Sequence, residues 1–275
     1  MVASSGNVTT ASDIDQVHGY YMMFGTMVLF TGVNLFITRL GTPKTVREDP
    51  WRWKNILISW VHALICGVWD ILCLVLYPEL FGDLILHINY FTFLMIPFST
   101  GYFLYDSIDM LINKKLRQNW EVTAHHIAVA SMFWFNFHQK LCIGYNVLAL
   151  MAEVNSFFLH TRKLLQMIQV DYNSVFYKLV CLCNIVTFSF FRGYSNSRIL
   201  IGMYIEYDRV PSFYYKCLTM SMSCMTLINI FLFWRLLKSD FLRNRVNKSV
   251  NPGVKSINSE SNMNGDRHMA HVKKE

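Results

Sequence analysis

Between Gly101 and His126 the chain reads GYFLYDSIDMLINKKLRQNWEVTAHH, and most of its potential chemistry lies here. Asp106 and Asp109 sit on one apolar segment. Glu121, His125 and His126 open the next, with Lys114, Lys115 and Arg117 in the turn between them. A charge at the centre of a bilayer costs about 2.5–3.5 kcal/mol even on a lenient scale, so such residues mark either chemistry or bonds between helices. Imidazoles near carboxylates suit general acid–base catalysis or a transient acyl acceptor. Metal chemistry fits poorly, because membrane di-iron enzymes need several His clusters and this chain has one His-His pair. There is no G-x-S-x-G, no P-loop and no Gly-rich dinucleotide signature. No metal or other cofactor is therefore expected, with acyl-CoA required only by an acyltransferase.

The segments that carry these residues must cross a membrane. At 275 residues, 53% hydrophobic and 16% charged, the chain is too apolar for an ordinary soluble domain. About 20 apolar residues of helix cross a hydrocarbon core of about 30 Å. Seven runs meet that need, at 19–38, 55–77, 88–112, 121–138, 141–160, 175–203 and 213–237. Pro97 and Gly101 mark kink points in the third. The expected class is an all-α polytopic membrane protein. Residues 1–17 form a short extracellular tail, 18–50 the first span and a basic loop, and 241–275 a disordered cytoplasmic tail rich in Ser, Asn and Lys. The seven cysteines are odd in number and lack C-x-x-C, so they read as membrane packing.

Charge sets the orientation. With the N-terminus outside, 20 of the 25 Lys and Arg fall on the cytoplasmic side. The net charge of +7 therefore flanks membrane spans and implies no nucleic-acid partner. Asn7-Val8-Thr9 is a glycosylation sequon on the outer tail. The C-terminal lysines stand one position away from a dilysine retrieval pattern, which favours the plasma membrane over the endoplasmic reticulum.

Depth follows from 1.5 Å per helical residue. Measured from the cytoplasmic edge, Asp109 falls about 6 Å in, His125 and His126 about 8–9 Å, Asp106 and Glu153 about 10 Å, and His62 about 12 Å. Four helices thus offer polar groups at one level. Asn155 on the fifth span and Arg192 on the sixth are further candidates for the layer. Asp106 and Asp109 share a face with Tyr102, whereas His125 and His126 differ by about 100° and cannot point the same way.

The order W-R-W-K-N (51–55), S-W-V-H (59–62), G-Y-F-L-Y-D-S-I-D-M (101–110), W-E-x-x-x-H-H (120–126), M-A-E-V-N (151–155) and R-L-L-K-S-D-F (235–241) resembles the TLC domain-containing family. It is most similar to the calfacilitin-like branch that regulates plasma-membrane fluidity. The resemblance spans 51–240 and implies six helices around a lipid-accessible cavity. In the ceramide synthases of that superfamily the paired histidines belong to the acyl-transfer site, which by position implies His125 and His126. Two places depart: Val129 stands where those enzymes have Thr, and their downstream H-D-x-x-D cluster is absent. The branch implies a protein that binds phospholipid or acyl chains and limits polyunsaturated chains in phospholipids. An acyltransferase is the second reading, and a regulator of a channel or transporter the third.

Overall fold

The structure, a computed structural model, describes residue 11 and residues 13–250. Asn7, the glycosylation candidate, and residues 251–275 of the tail lie outside them. The described residues form helices α1 (Gln16–Leu40), α2 (Pro50–Leu76), α3 (Tyr90–Ile112), α4 (Trp120–Gln139), α5 (Ile143–Leu150), α6 (Ala152–Met167), α7 (Val175–Thr187), α8 (Gly193–Ile205) and α9 (Ser212–Val250). No strand occurs among them, as the all-α reading requires. Four helical stretches are long and apolar enough to cross a membrane: Gln16–Leu40, Pro50–Leu76, Val175–Ile205 and Ser212–Ser239. The chain is a membrane protein.

Local chemistry sets the helix starts. Asp15 accepts from the Val17 N–H, Asp49 from Arg52 ahead of Pro50, and Ser174 from Tyr177. Asn89 and Thr92 form a reciprocal capping box at the start of α3. Two helices depart from uniform pitch. The expected run 141–160 is divided at Met151 into α5 and α6, and α7 passes into α8 through a π-helical turn, Phe188–Arg192.

The chain divides into two units at Ile228. In the first, α1 packs on α3, α3 on α2 and α4, α2 on α5 and α6, α6 on α7, and α5 on α8. Two glycines let helix backbones approach each other closely. A Cβ at Gly101 would lie 2.9 Å from Thr26 Cβ and 3.1 Å from the Met23 carbonyl carbon, so α3 meets the backbone of α1 there. One at Gly67 would lie 3.3 Å from Val154 Cα on α6. Helix α3 runs unbroken through Pro97 and Gly101, so Gly101 serves contact and not a break. In the second unit, from Asn229, the Arg235 guanidinium lies 5.7 Å from the Phe231 ring centre.

Within the first unit, polarity is inverted relative to a water-soluble fold. Tyr21, Phe24, Val28 and Phe36 on α1 are exposed, while His62, Asp70, Asp106 and Asn155 are buried. Phe30 fills the centre, with its ring 5.0 Å from Tyr102 and about 6 Å from His62, Phe98 and Tyr105. In a bilayer such packing holds helices through dispersion and inter-helix hydrogen bonds, since lipid tails are as apolar as leucine.

Candidate functional site

His62 projects from the buried face of α2 and stacks on Tyr102 of α3, with ring centres 3.7 Å apart and planes 11° from parallel. Its Nδ1 lies 3.7 Å from Glu153 Oε2 on α6, a charge contact too long for a hydrogen bond. Its Nε2 lies 3.2 Å from the thiol of Cys66, one turn along, and that thiol is 3.0 Å from Ser99 Oγ. Tyr102 donates to Ser59 Oγ at 2.9 Å. One aromatic stack thus ties α2, α3 and α6 together.

One turn beyond Tyr102, Asp106 is buried and doubly engaged. Asn55 donates to Oδ1 at 2.5 Å, and His126 Nδ1 lies 3.0 Å from Oδ2. The His126 contact is one of distance only, because the ring nitrogen does not meet the direction a hydrogen bond requires. The His126 ring lies 5.0 Å from Phe103 and 6.2 Å from Tyr102. His125 turns away, with Nδ1 3.0 Å from Met225 Sδ on α9. His126 is therefore the inward member of the pair.

The other expected members of the layer stand in separate knots. Asp109 accepts from Trp51 Nε1 at 2.8 Å and from Asn34 Nδ2 at 3.2 Å. Asn34 also donates to Tyr105 Oη at 2.7 Å, and Lys115 Nζ lies 5.4 Å from the Trp51 ring centre. Trp51 is thus a hydrogen-bond donor to a carboxyl group and a face for the Lys115 ammonium. Asn155 and Arg192 meet directly: Arg192 donates to Asn155 Oδ1 at 2.8 Å and to Ser156 Oγ at 2.9 Å. Asn155 Nδ2 in turn faces the Asn184 carbonyl and side-chain oxygens, both at 3.0 Å.

Of the six residues assigned to one layer, His62 is paired with Glu153 and Asn155 with Arg192, Asp106 takes His126, and Asp109 stands apart. Asn34, Asn55, Ser59, Ser156 and Asn184 were not anticipated. Asn55 had a signal: it follows Trp51 by four residues, so the two donors share a helix face towards Asp106 and Asp109. Asn34 and Asn184 had the weaker one of being amides inside apolar runs.

Away from the spans, Asp83 and Arg209 join two loops at 2.6 Å, with Glu206 on the same guanidinium at 2.9 Å. Partial burial pushes the Asp83 carboxyl up. The Arg209 bond and the Leu86 and Ile85 N–H groups outweigh this and hold it below the usual carboxylate value. Asp83 in turn raises Arg209.

Chemically, the centre offers two imidazole–carboxylate contacts flanking a buried phenol. A carboxylate beside an imidazole can orient a general base, and an amide such as Asn55 can fix the carboxylate. Among the described residues no group of three or more His, Cys, Asp and Glu is arranged to hold a metal ion.

Comparison with known proteins bears on the whole assembly. The family model described as the TLC domain matches residues 52–238. The chain is 35% identical to TLC domain-containing protein 2 of Danio rerio over 230 residues, which is 81% of this chain and 93% of that one. It is 29% identical to TLC domain-containing protein 1 of Mus musculus, covering 82% and 91%. It is 27% identical to TLC domain-containing protein 2 of Homo sapiens, covering 82% and 86%. The match takes in Asn55, His62, Asp106, His126, Glu153 and Arg192, and the chain belongs to the TLC domain-containing family.

Proposed function

We propose that this protein regulates membrane phospholipid composition and fluidity by binding phospholipid or acyl chains and limiting the entry of polyunsaturated chains into phospholipids. The observation that carries the reading is the centre itself, where His62, Tyr102, His126, Asp106 and Glu153 gather from four helices of an apolar bundle. Polar groups at that depth are costly, and a lipid headgroup or ester is the kind of partner that uses them. In this reading α3, α4 and the divided α5–α6 also cross, giving seven spans with the N-terminus outside and the C-terminus cytoplasmic. Six of them enclose a lipid-accessible cavity above the polar groups. The plasma membrane is the proposed site of action, and the calfacilitin-like branch the nearest functional kin.

A second reading, acyl transfer from acyl-CoA, is favoured by the 3.0 Å approach of His126 to Asp106, the pairing an acid–base site uses. His126 would then be base or acyl acceptor. His125, facing Met225, would take no part.

The test is phospholipid acyl composition in cells fed polyunsaturated fatty acid. Cells with no protein, wild type, His126→Ala and His125→Ala are compared at matched surface expression. Wild type should lower polyunsaturated phosphatidylethanolamine, and His126→Ala should lose that effect while His125→Ala keeps it. If both variants behave as wild type, the enzyme reading falls. If wild type leaves the lipids unchanged, the fluidity role falls with it.

A further inference from the structure

A second lipid-sized feature lies outside the buried centre. Where α1 begins, a groove of about 400 Å³ runs along its exposed face against α3. His18 stands at its mouth and Leu29 at its foot, and Tyr21, Gly25, Thr26 and Phe98 line the length between. Eleven residues of helix make about 16 Å, which matches one leaflet of a core about 30 Å thick.

The groove has a polar end and an apolar body. At the mouth His18 Nδ1 lies 3.2 Å from Tyr90 Oη, which leaves Nε2 open to a further partner. Tyr90 Oη also accepts from the Asp15 backbone N–H. Below, the Thr26 hydroxyl is turned into its own helix and donates to Met22 O at 2.8 Å. Space above Gly25 is open, with no atom within 4 Å of where a Cβ would stand. Tyr21, Gly25 and Leu29 follow one another at four-residue spacing on one helix face, so Gly25 leaves a bare strip between two larger side chains.

These features discriminate among lipids. A phosphate would call for Lys or Arg at the mouth, and no lining residue is cationic, while Asp15 sits beside Tyr90. An imidazole–phenol pair with one ring nitrogen open suits one hydroxyl, and a bare strip in a groove one leaflet long suits a rigid ring system. We propose that the groove is a sterol-binding site, with the sterol hydroxyl on His18 Nε2, beside the His18–Tyr90 pair, and the rings over Gly25. This site does not rest on the fluidity reading, and either can fail without the other.

The experiment uses the full chain in phosphatidylcholine nanodiscs with a diazirine-bearing sterol. Wild type should be labelled on α1 or the first turns of α3, and unlabelled cholesterol should compete. Gly25→Leu fills the open strip and should cut labelling about tenfold. Gly193→Leu, where a Cβ also meets nothing within 4 Å, should leave it unchanged. If Gly25→Leu is not recovered folded, His18→Ala, at an exposed position, should lower labelling several-fold. Equal labelling of wild type and the groove variant overturns the proposal. So does labelling of the same residues by a diazirine-tagged phosphatidylcholine chain, or a disulfide between two copies through Gly25→Cys.

Discussion

Replacing Gly101 with alanine adds one methyl group at the seam between α1 and α3. That carbon would stand 2.9 Å from Thr26 Cβ and 3.1 Å from the Met23 carbonyl carbon, where ordinary contact begins at 3.4 Å. The obstructing atoms are a backbone carbonyl and a β-carbon, which cannot swing aside as a side-chain tip can. The helices must part by about half an ångström or more. Overpacking of this kind costs about 1–3 kcal/mol, and a backbone obstacle argues for the upper end. Against this, alanine in a helix gains about 1 kcal/mol over glycine. The clash wins by about 2 kcal/mol, which lowers Tm by about 4–8 °C for a chain of this size. Gly25→Ala on the facing helix meets no atom within 4 Å, so it collects the helix gain alone and should raise Tm slightly. The assay is thermal unfolding of both variants in one detergent. Shifts of the same sign would refute the packing argument, since only the neighbours of the two glycines differ in kind.

Two further outcomes follow from the polar groups. Asn155→Leu removes the acceptor of the Arg192 Nε–H and the donor to Asn184, at a cost of about 3 kcal/mol. Ser156→Ala removes one Arg192 bond at about 1 kcal/mol, and unfolding in detergent should rank the two in that order. Arg209→Ala should cost less than about 1 kcal/mol, because Arg209 and Asp83 are each more than a third exposed and solvent screens them. Asp83 is held below its usual value in the folded protein, so its contribution is full above the ordinary carboxylate pKa and fades as pH falls through the lowered one. The Tm difference between wild type and Arg209→Ala should therefore shrink only at acid pH.

Composition and depth carried the reading a long way. Apolar run lengths place α1, α2, α3 and α4 within a few residues, and equal depth alone groups His62, Asp106, His126 and Glu153. Depth and three-residue spacing both group Asp109 with Asp106, but positions three apart still differ by about 60° around a helix. Three residues around the helix turn it towards Trp51 and Asn34 instead. The same limit left His125 and His126 unassigned until Met225 and Asp106 showed which way each ring points. The division at Met151 has no local mark, because neither Gly nor Pro stands there. Gly101 reads as a kink point from its intrinsic freedom, whereas the use the structure makes of it is the absence of a side chain.

The π turn at Phe188–Arg192 has a consequence for how one long span serves two neighbours. A π turn holds one residue more than an α-helix needs, so it sets the faces of α7 and α8 out of phase by about 100°. Before the turn, Asn184 and Thr187 address α6 through Asn155; after it, Gly202 lies against Tyr145 of α5. A span of even pitch would present a single continuous stripe and would have to choose between those partners. The extra residue works as a phase shifter. It places the Arg192 guanidinium at the changeover, where it fastens the junction to Asn155 and Ser156.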